Sequence, residues 1–348
     1  MILDKKNKFL LKSIINSSNT IEDAINSLVK SSTRICLIAN KDKKLLGILN
    51  DGDIRRAIVK GYKMNKKVSE IMNTSPKTLS YPLDFNEINR IKKMDIFQIP
   101  IVDKNNRVVG LYNAKSEEVE KKKNHVVIMS GGVGKRLSPY TKKIPKALVL
   151  VNNKTLLEII IEKIKFYGFN NYLFMLRHKS NLIKNYLKKK INNSLNYKCF
   201  VEKTPLGTAG SLKLLKNVVK RSFLLINCDI ISDLDYGEFL NFHKKTKAHI
   251  SIAVKEIESR TDFGVIKAKG NRVYDLEEKP IKKININGGI YVIEPKIINL
   301  IKKKENIDMI SLIKRAIKKN YKVVIYPIYE KWIDVGTPNS LRVARKNV

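Results

Sequence analysis

The sequence predicts an α/β protein in two parts, and three observations carry that prediction. From His125 onward, short apolar strands alternate with helical stretches. Ahead of that, a strand–turn–strand unit occurs twice. Between them, Ser116 to Asn124 is a charged stretch whose only large apolar residue is Val119, and it reads as a helix end and linker. The expected parts are residues 1–120 and 124–348. A chain of 348 residues is too long for one core, since single cores stop growing near ~250 residues. Its hydrophobic fraction of 43% is enough to bury more than one. No apolar run approaches the ~18–20 residues of a membrane span, and Met1-Ile-Leu-Asp-Lys-Lys lacks the apolar core of a secretory signal. Cys36, Cys199 and Cys228 are odd in number and far apart, which suits neither a disulfide framework nor a zinc site. The expectation is a soluble cytoplasmic protein with no membrane partner.

The 69 Lys and Arg against 32 Asp and Glu leave a net charge of +37. So basic a surface invites a nucleic-acid reading. The distribution argues otherwise. Only 13 of the 69 cations are Arg, and no basic run exceeds three, as at Lys121–Lys123, Lys188–Lys190 and Lys302–Lys304. No aromatic residues interleave with them to make a stacking platform. The charge reads as a solvated, composition-driven surface, and nucleic acid is not expected as a partner.

In the first part, Thr20 to Leu28 places Ile21, Ala24, Ile25 and Leu28 on one helical face. Thr20 and Asp23 have the spacing of a capping box and mark its start. Cys36-Leu-Ile-Ala-Asn-Lys-Asp-Lys-Lys-Leu-Leu-Gly47 then reads as strand, polar turn, strand and glycine. It aligns without gaps on Ile99 to Gly110, 99 − 36 = 63 residues later, and that copy follows a helix-like stretch, Asp84 to Ile91. A unit of ~60 residues is marginal alone, so the two are expected to pack on each other. This half resembles a tandem pair of cystathionine β-synthase (CBS) domains. The resemblance implies an α/β pair, association into a homo-oligomer, and an adenine nucleotide whose ribose is held by an Asp after the second strand. Asp53, in Gly47-Ile-Leu-Asn-Asp-Gly-Asp53, keeps that acid, with Asn50 where a Ser or Thr is usual. The second copy, Gly110 to Ser116, lacks it. A second reading stays open, in which Asp53 only stabilises the N-terminus of the helix running through Ile54.

In the second part, the apolar strand Val126-Val-Ile-Met129 runs into Ser130-Gly-Gly-Val-Gly-Lys-Arg-Leu137. Glycine-rich turns after a strand bring backbone N–H groups to an anion, usually phosphate. Two familiar phosphate motifs fail on spacing. A P-loop needs Gly five residues before Gly134, where Met129 stands, and Ser or Thr where Arg136 stands. A dinucleotide fingerprint needs Gly where Leu137 stands. The turn is instead similar to the opening signature of sugar-1-phosphate nucleotidyltransferases, Gly-Gly-x-Gly-x-Arg-Leu and then Pro-Lys, here Gly131 to Leu137 and Pro145-Lys146.

That resemblance covers residues 125–345 and implies a Rossmann-like, GT-A-like mixed sheet. It implies that Ser130, Gly131, Gly132 and Gly134 cradle a nucleotide, with Arg136 on the leaving pyrophosphate and Lys146 at the reacting phosphate. Glu202-Lys-Thr-Pro-Leu-Gly-Thr-Ala-Gly210 is similar to the base-reading loop, which puts Glu202, Gly207, Thr208 and Ala209 at the nucleotide. Members that take pyrimidines usually carry Gln first. A carboxylate only accepts hydrogen bonds, and guanine offers it N1–H and N2–H₂, so Glu202 leans towards GTP. A strand-end Glu without a ligand is the other reading of that residue. Phe223 to Asp229 is an apolar strand ending in an acid that matches the metal-binding Asp of the family. Asp262-Phe-Gly-Val265 and Leu276-Glu-Glu-Lys-Pro280 look like the sugar-binding strand pair. There Gly264 gives close approach, Glu278 holds sugar hydroxyls and Lys279 the sugar phosphate. The resemblance also implies that Asn287, in Ile286-Asn-Gly-Gly, contacts the sugar and that its glycines leave room for it.

The resemblance implies that Asp334, in Trp332-Ile-Asp-Val-Gly, is the second metal acid, 334 − 229 = 105 residues after Asp229. Two carboxylates suit Mg²⁺. Lys135 replaces the usual small Thr or Ser, and Ser130 the usual Ala. His125, His178, His243 and His249 read as structural or surface residues. The implied reaction is in-line attack of a sugar 1-phosphate on the α-phosphorus of a triphosphate, which needs positioning more than a nucleophile. A CBS pair ahead of such a domain is similar to guanylyltransferases of bacterial legionaminic acid synthesis, which favours GTP and glucosamine 1-phosphate as partners. A mannose-1-phosphate guanylyltransferase is the rival within the class, and an inactive CBS-type nucleotide sensor the rival outside it.

Overall fold

The computed structural model describes residues 2–4, 7–31, 33–83, 98–113, 121–190 and 195–347. The chain forms two compact units, Met1–Val119 and Glu120–Val348. The expected helix at Asp84 to Ile91 and the expected linker residues 116–120 lie outside the described residues. Among the described residues no helix is long and apolar enough to cross a membrane.

The first unit makes the sequence repeat visible as geometry. Helix Ile21–Ser31 begins with the expected reciprocal cap: the Asp23 amide donates to Thr20 Oγ1 at 3.1 Å and the Thr20 amide to Asp23 Oδ2 at 2.9 Å. Those bonds favour the carboxylate and hold the Asp23 carboxyl below its usual range. Strand Ile35–Ala39 pairs antiparallel with Leu45–Asn50, in the register Ile35↔Asn50 to Ala39↔Leu45 with one shift after Ile38. Strand Gln98–Val102 pairs with Val108–Asn113 as Gln98↔Asn113 to Val102↔Val108, with the shift after Ile101. Every partner and the irregularity are displaced by the same 98 − 35 = 63 residues. The two turns also grip each other, since Leu45 N donates to Asn106 O and Val108 N to Lys43 O, both at 2.9 Å. Leu10, Ile35, Leu37, Leu45, Val102, Val108 and Leu111 bury one shared core.

The second unit is built on a seven-stranded sheet. Its strands are β1 (Lys122–Ser130), β2 (Phe169–Leu176), β3 (Asn196–Val201), β4 (Phe223–Asn227), β5 (Ile250–Arg260), β6 (Ile281–Ile293) and β7 (Val323–Ile328). They lie in the order β3-β2-β1-β4-β6-β5-β7. The first four are mutually parallel, β6 is antiparallel to both β4 and β5, and β5 and β7 are parallel, so the sheet is mixed. Val126, Val127 and Ile128 are fully buried, as a central strand covered on both faces requires. β1 starts earlier than the sequence suggested, because residues 122–124 belong to the strand and not to a linker. Lys122 N donates to Gly168 O at 2.8 Å, and the buried Asn124 side chain donates to Ser222 O at 2.7 Å. Tertiary hydrogen bonds here overrule a polar local sequence.

Candidate active site

The parallel strands β1, β2, β3 and β4 all end at one edge, where loops carrying polar groups can converge. β1 ends at Ser130, whose hydroxyl is buried and has no hydrogen-bond partner among the described residues. The glycine turn follows. Gly134 has φ +71°, and a Cβ there would stand 2.9 Å from Thr141 Cγ2 and 3.3 Å from Lys146 Cβ. Thr141 Oγ1 donates back to Gly134 O at 2.9 Å. A Cβ on Gly132 would meet nothing within 4 Å, so that backbone faces open space. Lys135 and Arg136 occupy the one-turn helix Lys135–Leu137 and are exposed at the cleft.

The two acids meet. Strand Ile230–Ser232 pairs antiparallel with Trp332–Asp334, with Ile230 opposite Asp334, and Val335 N donates to Asp229 O at 2.8 Å. The Lys146 ammonium forms a short ion pair with Asp229 Oδ2. Asp229 Oδ1 and Asp334 Oδ1 are buried without a partner among the described residues. Burial raises the Asp334 pKa above the usual carboxylate value, the nearby Asp229 charge adds to it, and Lys146 and Arg136 oppose it. Gly336 closes this corner: a Cβ there would lie 3.0 Å from Asp334 Oδ1 and 3.2 Å from Arg136 Nη2.

Glu202 follows β3 and is buried. Its Oε2 accepts the Leu206 amide at 3.3 Å, and its Oε1 stands 3.2 Å from where a Cβ on Gly131 would be. Burial raises its pKa, while the Leu206 amide and the Arg177 charge act the other way. Gly207 has φ +75°, and a Cβ on it would be 2.4 Å from Ile307 O. Thr208 lines the cleft while its hydroxyl oxygen accepts the Met309 amide at 2.9 Å. Ala209 does not reach the cleft: its side chain is in the core and its amide donates to Ile307 O at 3.0 Å.

The expected sugar residues lie on a different element. Val265–Lys269 and Arg272–Glu277 form a two-stranded ribbon. Glu278 and Lys279 follow it, exposed and 4.0 Å apart, with Lys279 at φ +43°. A Cβ on Gly264 would touch Glu278 Oε2 at 3.2 Å, so the two expected motifs do come together. Asn287 Nδ2 donates to the Tyr291 hydroxyl at 2.6 Å, and its Oδ1 accepts the Gly289 amide at 3.0 Å. The two glycines beside it do not leave room for a sugar. Added Cβ atoms would strike Ala253 O at 2.7 Å from Gly288, and Asn227 Nδ2 at 2.9 Å from Gly289, so these glycines serve close strand packing.

The described walls enclose a cleft of about 570 Å³, lined by the glycine turn, Arg136, Lys146, Arg177, Glu202, Thr208, Asp229 and Gly336 among others. The family model for nucleotidyl transferases matches residues 125–348. The chain belongs to the nucleotidyl transferase family. A CBS domain model matches residues 13–60, the first copy of the repeat. This nucleotidyl transferase is 30% identical over 221 residues to a mannose-1-phosphate guanyltransferase of Yarrowia lipolytica, covering 61% of this chain and 60% of that one. It is 31% identical over 215 residues to a D-glycero-alpha-D-manno-heptose 1-phosphate guanylyltransferase of Campylobacter jejuni, covering 61% of this chain and 94% of that one. The chain thus spans about 60% of the length of the fungal relatives it matches. Among solved structures it resembles HddC from Yersinia pseudotuberculosis at TM-score 0.52 and 24% identity, over 64% of this chain and 98% of that one, a likeness of fold.

In the first unit, Asp53 is engaged within its own helix turn. Its Oδ2 accepts the Asn50 amide at 3.0 Å, its amide donates to Asn50 Oδ1 at 3.0 Å, and Arg56 pairs with its Oδ1. That is a capping box and supports the helix-end reading. In the nucleotidyl transferase unit, the sequence analysis missed Arg177 and Lys179. Arg177 lines the cleft. Lys179 donates to Thr141 O at 3.0 Å and pairs with Lys142 O, tying the end of β2 to the segment between Arg136 and Lys146. Both follow a buried strand end in a polar run, and no local pattern separates such residues from a solvated loop.

Proposed function

We propose that this chain transfers a nucleotidyl group from a nucleoside triphosphate, GTP favoured, to a sugar 1-phosphate, releasing pyrophosphate. The observation that carries the reading is the meeting of Asp229 and Asp334 beside Lys146, each acid with one buried oxygen left unpartnered among the described residues. Such a pair fits Mg²⁺, a hard ion that takes one or two protein carboxylates and completes its shell with water and phosphate oxygens. Bound there, Mg²⁺ would supply Lewis-acid neutralisation of phosphate charge.

The chain's own groups do the rest. The open backbone at Gly132 lets a triphosphate lie along the turn, and Arg136 and Lys146 offer cations to the leaving pyrophosphate and the reacting phosphate. No general base is required, because the attacking phosphate oxygen is already anionic. Glu202, with Oε1 beside Gly131, supports a guanine base, and the relatives named above are guanylyltransferases.

Glucosamine 1-phosphate is the favoured acceptor, because a CBS domain precedes the transferase domain as in the guanylyltransferases of legionaminic acid synthesis. A manno-configured 1-phosphate is the second reading, supported by the names of the relatives. An adenine nucleotide at Asp53 is the reading of the first unit that the CBS resemblance supports, while the capping bonds of that acid support its helix-end role. The reaction belongs in the cytoplasm, where triphosphates are made. A pyrophosphate-release assay with Mg²⁺, four nucleoside triphosphates and a panel of sugar 1-phosphates tests all of this. Turnover with GTP and a hexose or hexosamine 1-phosphate is expected; no turnover with any pair overturns the reading and returns the chain to a sensor.

A further inference from the structure

The register of the sheet puts three loop residues in a row. Leu176 of β2 lies opposite Ser130 of β1 on one side and Val201 of β3 on the other. One position further on, the chain presents Gly131, Arg177 and Glu202 side by side at the carboxyl ends of three parallel strands, about 4.8 Å apart. The packing agrees, because a Cβ on Gly131 would sit 3.2 Å from Glu202 Oε1 and 3.4 Å from Arg177 Cβ. All three line the cleft. Arg177 is half-buried, and among the described residues no hydrogen bond or salt bridge holds its guanidinium. A partly desolvated, uncommitted guanidinium beside a buried carboxylate calls for a ligand that is an acceptor at one end and a donor at the other.

Guanine has that polarity. Its N1–H and N2–H₂ donate, and the adjoining O6 and N7 accept, the pair that an Arg fork reads bidentately. We propose that Arg177 is a second base-reading residue, which takes guanine at O6 and N7 while Glu202 takes N1–H and N2–H₂. The inference rests on the GTP reading above and goes beyond it by assigning the other edge of the base. Adenine keeps N7 but turns an amino group towards Arg177 in place of O6, and it presents a bare ring nitrogen to Glu202 in place of N1–H. Uracil has no counterpart of N7. Arg177 is therefore a specificity residue and acts on no reacting atom.

The test uses GTP, 7-deaza-GTP (which lacks N7), ITP (which lacks the 2-amino group) and UTP with the full chain and its Arg177→Met variant. The native chain is expected to use 7-deaza-GTP about tenfold less well than GTP in kcat/KM, the size of one lost base-edge contact. In Arg177→Met that penalty disappears, while the penalty for ITP, read by Glu202, remains. An unchanged 7-deaza penalty in Arg177→Met overturns the proposal. So does an equal loss with all four triphosphates, which would make Arg177 a phosphate contact. A native chain that does not prefer GTP sinks the functional reading itself, a result distinct from GTP preference with no role for Arg177. Should Arg177→Met lose turnover, calorimetric titration with GTP and 7-deaza-GTP gives the same ratio from binding, and Arg177→Lys, which keeps the charge without the fork, should show it partly reduced.

Discussion

The two sides of the proposed site are built to different standards. On the nucleotide side, Gly134 and Gly207 sit at positive φ against neighbouring atoms, Lys179 ties loop to strand end, and each acid buries one carboxylate oxygen. On the sugar side, the ribbon carries Ile266, Tyr274 and Leu276 at 61%, 69% and 68% exposure, with Phe263 at 78% in the loop before it. Ile266 and Leu276 face each other across the ribbon, and Tyr274 is the unpaired residue at the register shift beyond them. A two-stranded ribbon with an uncovered apolar face has little to fix its shape. The contrast separates what the fold holds rigid from what it leaves free to vary. On the proposed reading, nucleotide handling would be anchored in the sheet, while sugar choice would rest on an appendage whose residues can change without disturbing the core.

Four measurements can break or sharpen that contrast. Asp229→Asn should lower the rate about 10²-fold or more while leaving the fold intact, in line with losing one charge stabiliser; a near-native rate removes the acids from the chemistry. Gly207→Ala should lower stability by about 2–4 kcal/mol in urea unfolding, since the new Cβ would press on Ile307 O at 2.4 Å in a left-handed backbone. Lys279→Ala should leave the unfolding midpoint unchanged and raise KM for the sugar phosphate about tenfold, with KM for GTP unmoved. An equal rise in both would show that the two sides are not separable.

The smallest effect concerns pH. Burial raises the Glu202 pKa, so its carboxylate is protonated at a higher pH than an ordinary Glu. The ratio of GTP to UTP use should therefore fall a few-fold on acidification through that raised value, as an acceptor becomes a donor. Glu202→Gln should show a lower ratio that is flat over the same range. A sloping ratio in Glu202→Gln would assign the titration to another group.

The same contrast explains what the sequence could and could not tell. Gly134, Lys146, Asp229 and Asp334 were legible because each sits in a motif whose local chemistry is distinctive, and pairing of Ile230 with Asp334 then brings the acids together. Arg177 was not legible, because its meaning lies in the register of three strands and not in its neighbours. Gly288 and Gly289 misled for a related reason. A glycine states that space is tight or backbone unusual, and only the structure says whether a ligand or another strand takes the space. Lys122 to Asn124 misled because charge suggests exposure, whereas Asn124 is buried and its side chain donates to the carbonyl and hydroxyl oxygens of Ser222. Asp53 carried two readings, and the local capping geometry supports the structural one.

The mutual grip of the two turns in the first unit constrains how that unit can evolve. Surface hairpin turns ordinarily tolerate insertions, yet here Lys43 and Asn106 each supply the carbonyl that satisfies the opposite copy's amide. An extra residue in one turn would orphan an amide in the other. Descendants of this duplication are thus free to diverge in composition at these tips, but their lengths must change together or not at all.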